Sequence, residues 1–571
     1  MMRELTYGMV FLFSAVSLTG QTVRHEEMLG RPTDKSVTIQ LIFSDAAEVA
    51  IQYGLSAETY TSQTPWKIYK AEEPVEIILD NLLPDSKYYY RVIHRKPGEN
   101  SVMYRKQGQF HTQRAKGSSF TFVIQADPHL DEQSDSALYK RCLLNQLEDN
   151  PDFMIDLGDV LMADKLKNAA NIITRDTIHF RAKLMRDYYA IQSHAVPMFF
   201  VLGNHEGESG WTRNGTASNV AVWSTLERKN YFLNPVPDAF YTGDKTKHDF
   251  VDLRENYYAW EWGDAQFIVL DPYWYTNVKP DSLNGWRWTL GKTQYDWLKK
   301  TLESGTSTFK FVFSHQLVGG DKNGRGGTEF ADYYEWGGNN LNRTPGFAQN
   351  RPDWYKPVKD LLKEHKVNVF FHGHDHFFGK QEKDCLIYQE VPQPSHPNFS
   401  SVNYARDYGY FDGLILPNSG HLRVNVSPNG AKIEYVKAYL PKNEASGRKN
   451  RDVAATYFIP KNSCYDAVST GIPILWNANY ADELVFPNPA VESVTFSFSL
   501  SNTEHLNLKI VDVNGKTVKG ILAGNALAPG NYQIEWDGKD DAGIPLPGGM
   551  YIYQVHNQKE IISTGKVILV R

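Results

Sequence analysis

The sequence predicts a central layered α/β domain set between two β-sandwiches, and three features predict it. Across residues 120–371, near-continuous apolar runs alternate with amphipathic helical patterns, as expected of strands buried on both faces and covered by helices. Short alternating strands with polar turns fill 36–112, and the same pattern returns from Glu483. At 571 residues the chain is too long for one core, and its length fits roughly three to four domains.

Taken in order, residues 1–20 read as a signal peptide: Arg3 precedes an apolar stretch over 9–18, and Thr19 and Gly20 offer a small-residue cleavage point. That stretch falls short of the roughly 18 apolar residues that span a bilayer, and nothing later reaches this length, so no transmembrane segment is expected. Residues 21–115 form the first sandwich, with strands over 37–42 and 76–79. The α/β domain is placed at 119–440. Its strands are expected at 120–124, 153–157, 196–202, 267–270, 309–313 and 367–371, with closing strands at 421–426 and 432–436. Helical spacing joins Tyr139, Leu143 and Leu147; Phe180, Leu184, Tyr188 and Ile191; and Tyr295, Leu298 and Leu302. Residues 441–482 lack either period and read as a connecting segment. Residues 483–571 form a small antiparallel sandwich with turns at Asn514-Gly515 and Ala542-Gly543.

Sixty basic against 66 acidic residues leave a net charge of −6, which gives no electrostatic support to a nucleic-acid partner. A hydrophobic content of 41% with 13% aromatics describes a folded chain. Three cysteines exclude a disulfide-stapled scaffold. Cys142 falls in a helical pattern and packs as a small apolar residue, while a bridge between Cys385 and Cys464 stays open, with no support from spacing.

Five polar patches each end an apolar run: Asp127-Pro128-His129, Gly158-Asp159, Gly203-Asn204-His205-Glu206, Ser314-His315 and Gly373-His374-Asp375-His376. Carboxylate, imidazole and amide donors together suit divalent transition metals such as Mn, Zn or Fe better than Ca or Mg. In open α/β sheets ligands gather outside the carboxyl ends of strands, so side chains remote in sequence can converge there. The patches point to a hydrolase. No G-x-S-x-G elbow or metal-spaced cysteine set offers a competing chemistry.

In this order the patches resemble the calcineurin-like metallophosphoesterase signature D-x-H, G-D, G-N-H-[DE], a lone His and G-H-x-H. The resemblance implies an α/β sandwich of two sheets flanked by helices, and a site for two divalent metal ions. One metal would be held by Asp127, His129, Asp159 and His376, the other by Asp159, Asn204, His315 and His374, with Asp159 bridging. It implies a metal-bridging hydroxide attacking phosphorus in line, and a catalytic His205 standing over the leaving oxygen as proton donor or charge stabiliser. Glu206 is the neighbouring candidate for orienting His205, and a purely structural role for it stays open. Purple acid phosphatases, which have a similar domain layout, carry a Tyr three residues after the G-D aspartate. Here Met162 stands at that position, and His129 completes D-x-H, so the comparison falls on the colourless branch.

Other residues carry weaker signals. Arg325, or Lys322, lies in a glycine-rich loop and could clamp substrate phosphate, against the reading of a plain surface loop. Tyr273, Trp274, Tyr275, Trp286 and Trp288 could stack on a substrate ring, though packing of an insert is favoured. His372 reads as a core histidine.

Residues 82–92, Leu82-Leu83-Pro84-Asp85-Ser86-Lys87-Tyr88-Tyr89-Tyr90-Arg91-Val92, resemble the fibronectin type III tyrosine corner, which makes the first sandwich fibronectin-III-like. Phe486-Pro487-Asn488-Pro489, residues 536–543, residues 548–553 and Lys566 resemble a type IX secretion C-terminal sorting domain, and their middle resembles the Ig-like domain of flagellar hook-capping proteins. These likenesses imply export through the periplasm to the cell surface or medium, with secretion machinery as a partner. The expected activity is hydrolysis of a phosphate ester substrate, monoesters slightly preferred. The alternatives are a phosphodiesterase on nucleotide or lipid head-group substrates, or a non-catalytic surface binding protein.

Overall fold

A computed structural model describes residues 25–281, 284–321, 323–461, 484–486, 490–491, 493–500, 503–512, 515–528, 530–557 and 561–570. The expected signal peptide, Lys322, Cys464, Asn514, residues 487–489 and the second half of the expected connecting segment, 462–482, lie outside them. The chain divides into two compact units, residues 1–463 and 464–571.

In the first unit, three parallel strands, Met198–Phe200, Phe153–Asp156 and Phe120–Gln125, continue into the antiparallel strands Gly420–Ser427, Gly430–Lys437 and Val453–Pro460. The last of these lies in the stretch read as a connector. Its alternation is there, but mostly exposed side chains on an edge strand hide it. A second sheet of eight strands is centred on the parallel run Ala265–Val269, Phe309–Phe313, Val369–His372 and Leu386–Glu390.

The continuous apolar runs explain why the sheets stack. Phe120, Phe122 and Ile124 face inward against Phe267, Phe311 and Phe313, while Val123 faces outward. Phe199 stacks on Trp260 across the gap at 4.2 Å between ring centroids, a contact of the kind that adds about 0.5–1.5 kcal/mol to area burial. Helices close both outer faces. Ser136–Glu148 and Arg175–Tyr189 cover the first sheet, and Lys292–Ser304 and Val358–Glu364 cover the second. Asp135 begins the first of these by accepting the Ala137 and Leu138 N–H groups, and Thr174 begins the second through a capping box with Thr177.

Tyr139, Leu143, Tyr295, Leu298 and Leu302 are buried as expected. Helix Arg175–Tyr189 corrects the sequence reading: it buries Ile178, Ala182, Met185 and Tyr189, and leaves Phe180 69% exposed. Arg181 and Arg186 lie on the buried side, which made that face look polar.

The N-terminal sandwich packs the sheet of His25–Gly30, Val37–Phe43 and Val75–Leu79 against the sheet centred on Ala47–Gly54 and Lys87–Arg95. The Leu83 N–H donates to the Tyr88 hydroxyl at 2.9 Å, tying the strand start back to its turn. Bonds from Tyr90 Oη to the His194 carbonyl (2.9 Å) and from Arg31 Nε to the Asn234 carbonyl (2.7 Å) fasten this sandwich to the α/β domain.

The second unit has sheets Leu484–Phe486, Val494–Leu500, Gly530–Trp536 and Thr517–Leu527, Glu504–Val511, Gly549–His556, Ile561–Leu569. Phe496, Leu508, Ile510, Trp536 and Val567 fill its core. Among the described residues no helix is long and apolar enough to cross a membrane.

Candidate metal centre

Every expected ligand lies just past the carboxyl end of a strand. Asp127 and His129 follow Phe120–Gln125, Asp159 follows Phe153–Asp156, and Asn204 follows Met198–Phe200. His315 follows Phe309–Phe313, and His374 and His376 follow Val369–His372. The chain must turn sharply at these points. Asp127, His129, Asp159, His374 and His376 take φ values of 56°, 43°, 60°, 81° and 64°, a region that costs a non-glycine residue about 1–3 kcal/mol and clusters at functional sites. Motif glycines make room. A Cβ on Gly373 would lie 2.6 Å from Asp127 Oδ2, and one on Gly203 would lie 2.3 Å from Asp159 Oδ1.

The side chains form two adjoining clusters, Asp127, His129, His376 and Asp159, His315, His374, with ligand atoms in each within 4.8 Å of one another. Asp159 Oδ2 joins them, at 3.3 Å from His129 Nε2 and 3.3 Å from His315 Nε2. Asn204 Oδ1 lies 3.1 Å from His315 Nε2, which adds the amide to the second cluster.

Asp127 Oδ1 tests the fit of a metal. It is buried, has no hydrogen-bond partner, and faces the Nε2 atoms of His376 (3.4 Å), His129 (3.6 Å) and His315 (3.7 Å). A bare carboxylate oxygen opposite three imidazole nitrogens is an arrangement that a shared cation satisfies. The far nitrogens are also engaged. His129 Nδ1 meets Asp131 Oδ2 (3.2 Å), His315 Nδ1 the Leu157 carbonyl (2.8 Å), and His374 Nε2 the Asn323 carbonyl (2.9 Å). Such contacts fix the tautomer and aim the ligating nitrogen.

Burial disfavours charge on Asp127 and Asp159, but the imidazoles outweigh it and hold both carboxylates below their usual range. Burial likewise opposes charge on His315, and Asp159 and Asp127 overcome it, moving its pKa up to about 9. His374 goes the other way, lowered by burial and then by Arg325 and His315. His372 is kept neutral by burial, at about 3, and pairs with Glu390 at 2.8 Å, which makes it the core histidine expected.

His205 lies at the rim, its Nε2 4.0 Å from Asp159 Oδ2. Its orienting partner is a correction: Asp164 Oδ1 lies 2.7 Å from His205 Nδ1. Glu206 turns inward from the single helical turn Asn204–Glu206 and accepts the N–H groups of Asp159 (2.9 Å), Val160 (2.6 Å), Leu161 (3.0 Å) and Gly203. Its role is the structural one left open above. Asp164 lies outside the motif, five residues beyond Asp159, and no spacing rule marks it.

Arg181 is a second residue that sequence reasoning missed. Buried on its helix, it donates to the carbonyls of Val160 (3.0 Å) and His129, so one guanidinium clamps two ligand loops. Arg325 does reach the centre. Its Nη1 donates to the His374 carbonyl (3.0 Å) and Asp375 (2.7 Å), and its guanidinium lies 4.0 Å over the Tyr408 ring. Tyr273, Trp274, Trp286 and Trp288 are buried, as the packing reading of that insert expects, and Tyr275 is half-buried. Met162 is buried too. Cys142 is a buried free thiol, Cys385 is disulfide-bonded, and the pairing considered with Cys464 ends outside the described residues.

Residues 120–378 match the model of the calcineurin-like phosphoesterase family, and residues 489–560 match that of the FlgD Ig-like domain. Among solved structures the chain is similar to PhoD, with 16% identity and a TM-score of 0.55 over 76% of this chain and 90% of that one. It is also similar to purple acid phosphatase PPD1 from yellow lupin (Lupinus luteus) seeds, with 14% identity and a TM-score of 0.52 over 77% of this chain and 74% of that one. At these identities the likeness is one of fold. No curated protein matches the chain.

Proposed function

We propose that this chain, a phosphoester hydrolase by its calcineurin-like phosphoesterase domain, is an exported two-metal enzyme that slightly prefers phosphomonoesters. The observation that carries the two-metal reading is Asp159 Oδ2 standing 3.3 Å from one imidazole of each cluster. Asp127, His129, Asp159 and His376 would hold one divalent transition metal, and Asp159, Asn204, His315 and His374 the other. When bound, such a pair supplies Lewis acidity and an activated water for in-line attack on phosphorus.

The chain's own residues do the rest. Asp164 fixes the His205 ring so that Nε2 faces the cluster, where the imidazolium gives its proton to the departing alkoxide oxygen. Glu206 and Arg181 hold the ligand loops rigid and keep the geometry from relaxing. With Met162 where a ligand tyrosine would stand, the protein is colourless.

Export rests on Arg3 with the apolar stretch over 9–18, and on the C-terminal motifs that resemble a type IX sorting domain. The Tyr88 bond supports a fibronectin-III-like reading of the first sandwich. Assay on matched aryl phosphate mono- and diesters, with Asn204→Ala as control, tests the activity. Faster cleavage of the monoester, lost in the control, is expected; cleavage of neither ester by metal-replete protein contradicts it.

A further inference from the structure

The loop that carries His374 and His376 is held in a costly shape. Both histidines sit at positive φ, 81° and 64°, a conformation that persists only where neighbours over-determine it. Two carboxylates pin its backbone N–H groups: Asp127 Oδ2 accepts from His374 (2.9 Å) and Glu390 Oε1 accepts from Asp375 (3.0 Å). Its carbonyls and the Asp375 side chain meet an excursion of the chain, residues 402–410. This excursion lies between the strands Leu386–Glu390 and Leu414–Leu416 and contains one short helical turn, Asn403–Ala405.

Three tyrosines of the excursion address the three residues of the loop. Tyr404 Oη donates to the His376 carbonyl (2.8 Å), which Asn418 Nδ2 also reaches (2.7 Å). Tyr410 Oη donates to Asp375 Oδ2 (2.8 Å), and Tyr408 supports on its ring the Arg325 guanidinium that donates to the His374 carbonyl. Tyr404 and Tyr410 also stand edge-on to the ring of Phe377, the residue after His376, at 5.8 and 4.8 Å between centroids. The rings thus fix where the two hydroxyls lie, and the hydroxyls fix the loop. His376 belongs to the first cluster and His374 to the second. Asp375 stands between them, and its carboxylate gathers Tyr410, the Gly326 N–H (3.0 Å) and Arg325 Nη1 (2.7 Å).

We infer that Tyr404 and Tyr410 are positioning residues of the metal centre, through which the excursion 402–410 sets how tightly the two ions are held. The inference rests on the two-metal reading and adds to it two side chains outside the ligand motifs. Each hydroxyl acts through the loop backbone or Asp375 and keeps the imidazoles aimed before an ion arrives, so that binding does not have to order the loop. Losing the Tyr404 hydroxyl relaxes His376 and with it the first ion. Losing the Tyr410 hydroxyl frees Asp375 between the two ligands and relaxes both.

Zinc titration of the metal-stripped full chain against a competing chromophoric chelator tests this, because it reads both binding constants without turnover. Tyr404→Phe and Tyr410→Phe each remove one hydroxyl and keep the ring. Tyr404→Phe is expected to weaken one ion by about tenfold and leave the other unchanged, and Tyr410→Phe to weaken both by about 10–100-fold. Tyr295→Phe is the control. It removes a hydroxyl bonded to the Lys356 carbonyl (2.6 Å) on an outer helix, so it should lower the unfolding midpoint in chelator as the other two do and leave both zinc constants unchanged. Constants for either of the other variants that match those of Tyr295→Phe overturn the inference, since that hydroxyl would then serve stability alone. A wild type that takes up fewer than two zinc ions overturns the two-metal reading, and this inference with it.

Discussion

His205 Nδ1 lies 2.7 Å from Asp164 Oδ1, an ion-paired couple at the rim of a cluster whose other imidazoles all turn a nitrogen inward. The carboxylate sets which nitrogen of His205 carries the proton and where the ring points. Asp164→Ala is therefore expected to lower kcat by about 10–100-fold with little change in KM or metal content. Steady-state kinetics beside metal analysis check this. A rise in KM at constant kcat would mean that the couple serves binding only.

Arg181 holds the His129 and Val160 carbonyls together from a buried helix face. Arg181→Met keeps much of the side-chain volume but releases both loops, so metal affinity should fall by about 10–100-fold, measured by competition with a chromophoric chelator. Unchanged affinity would show that the strained loop conformations hold without it.

Glu208 is fully buried between Arg228 (2.5 Å) and Arg254 (2.6 Å), and Arg254 also reaches Asp271 at 2.7 Å. Burial raises its pKa, but the two arginines outweigh burial and bring it down to about 2 from 4.5. A lowered carboxylate pKa contributes stability that is complete above pH 4.5 and is lost as pH falls from there toward 2. Denaturant unfolding across that window should show the loss in the wild type. Glu208→Gln should be destabilised by about 3–5 kcal/mol at neutral pH, because buried Arg228 loses its carboxylate partner and buried Arg254 keeps only Asp271, and should lack this share of the acid dependence. Equal acid slopes for both proteins would contradict the assignment.

Cys142 Sγ lies 3.8 Å from His421 Nδ1, and His421 Nε2 lies 2.7 Å from Asp149, an order of groups that mimics a thiol protease triad. Burial moves the thiol up to about 12 and lowers the His421 pKa, so the thiolate is not formed. Native protein should leave Cys142 unlabelled by a thiol reagent, with labelling only on unfolding. Rapid labelling of folded protein would contradict the inert reading.

Most of this architecture is legible in the sequence because each central strand is apolar on both faces and ends at a polar motif. The runs at Phe120, Phe153 and Phe309 begin the observed strands and lead to Asp127, His129, Asp159 and His315, while Asn204, His374 and His376 follow the strands Met198–Phe200 and Val369–His372. What stayed hidden depends on tertiary context. Arg181 serves carbonyls brought from two other loops, and Asp164 meets His205 only once the loops after two neighbouring strands fold over each other. Strand Val453–Pro460 is hard to read because, at the sheet edge, most of its side chains are exposed and its alternation marks no buried face. Helix Arg175–Tyr189 buries a face other than the one that Phe180, Leu184, Tyr188 and Ile191 mark, because Arg181 and Arg186 share its buried side.

The most direct test counts metal ions per chain in the wild type and in Asp159→Ala after loading and desalting. With Asp159 shared between the clusters, the account predicts two ions in the wild type and a loss of both, or of all but a weakly held one, in the variant. A wild type that saturates with a single ion, or a variant that keeps both tightly, would contradict it.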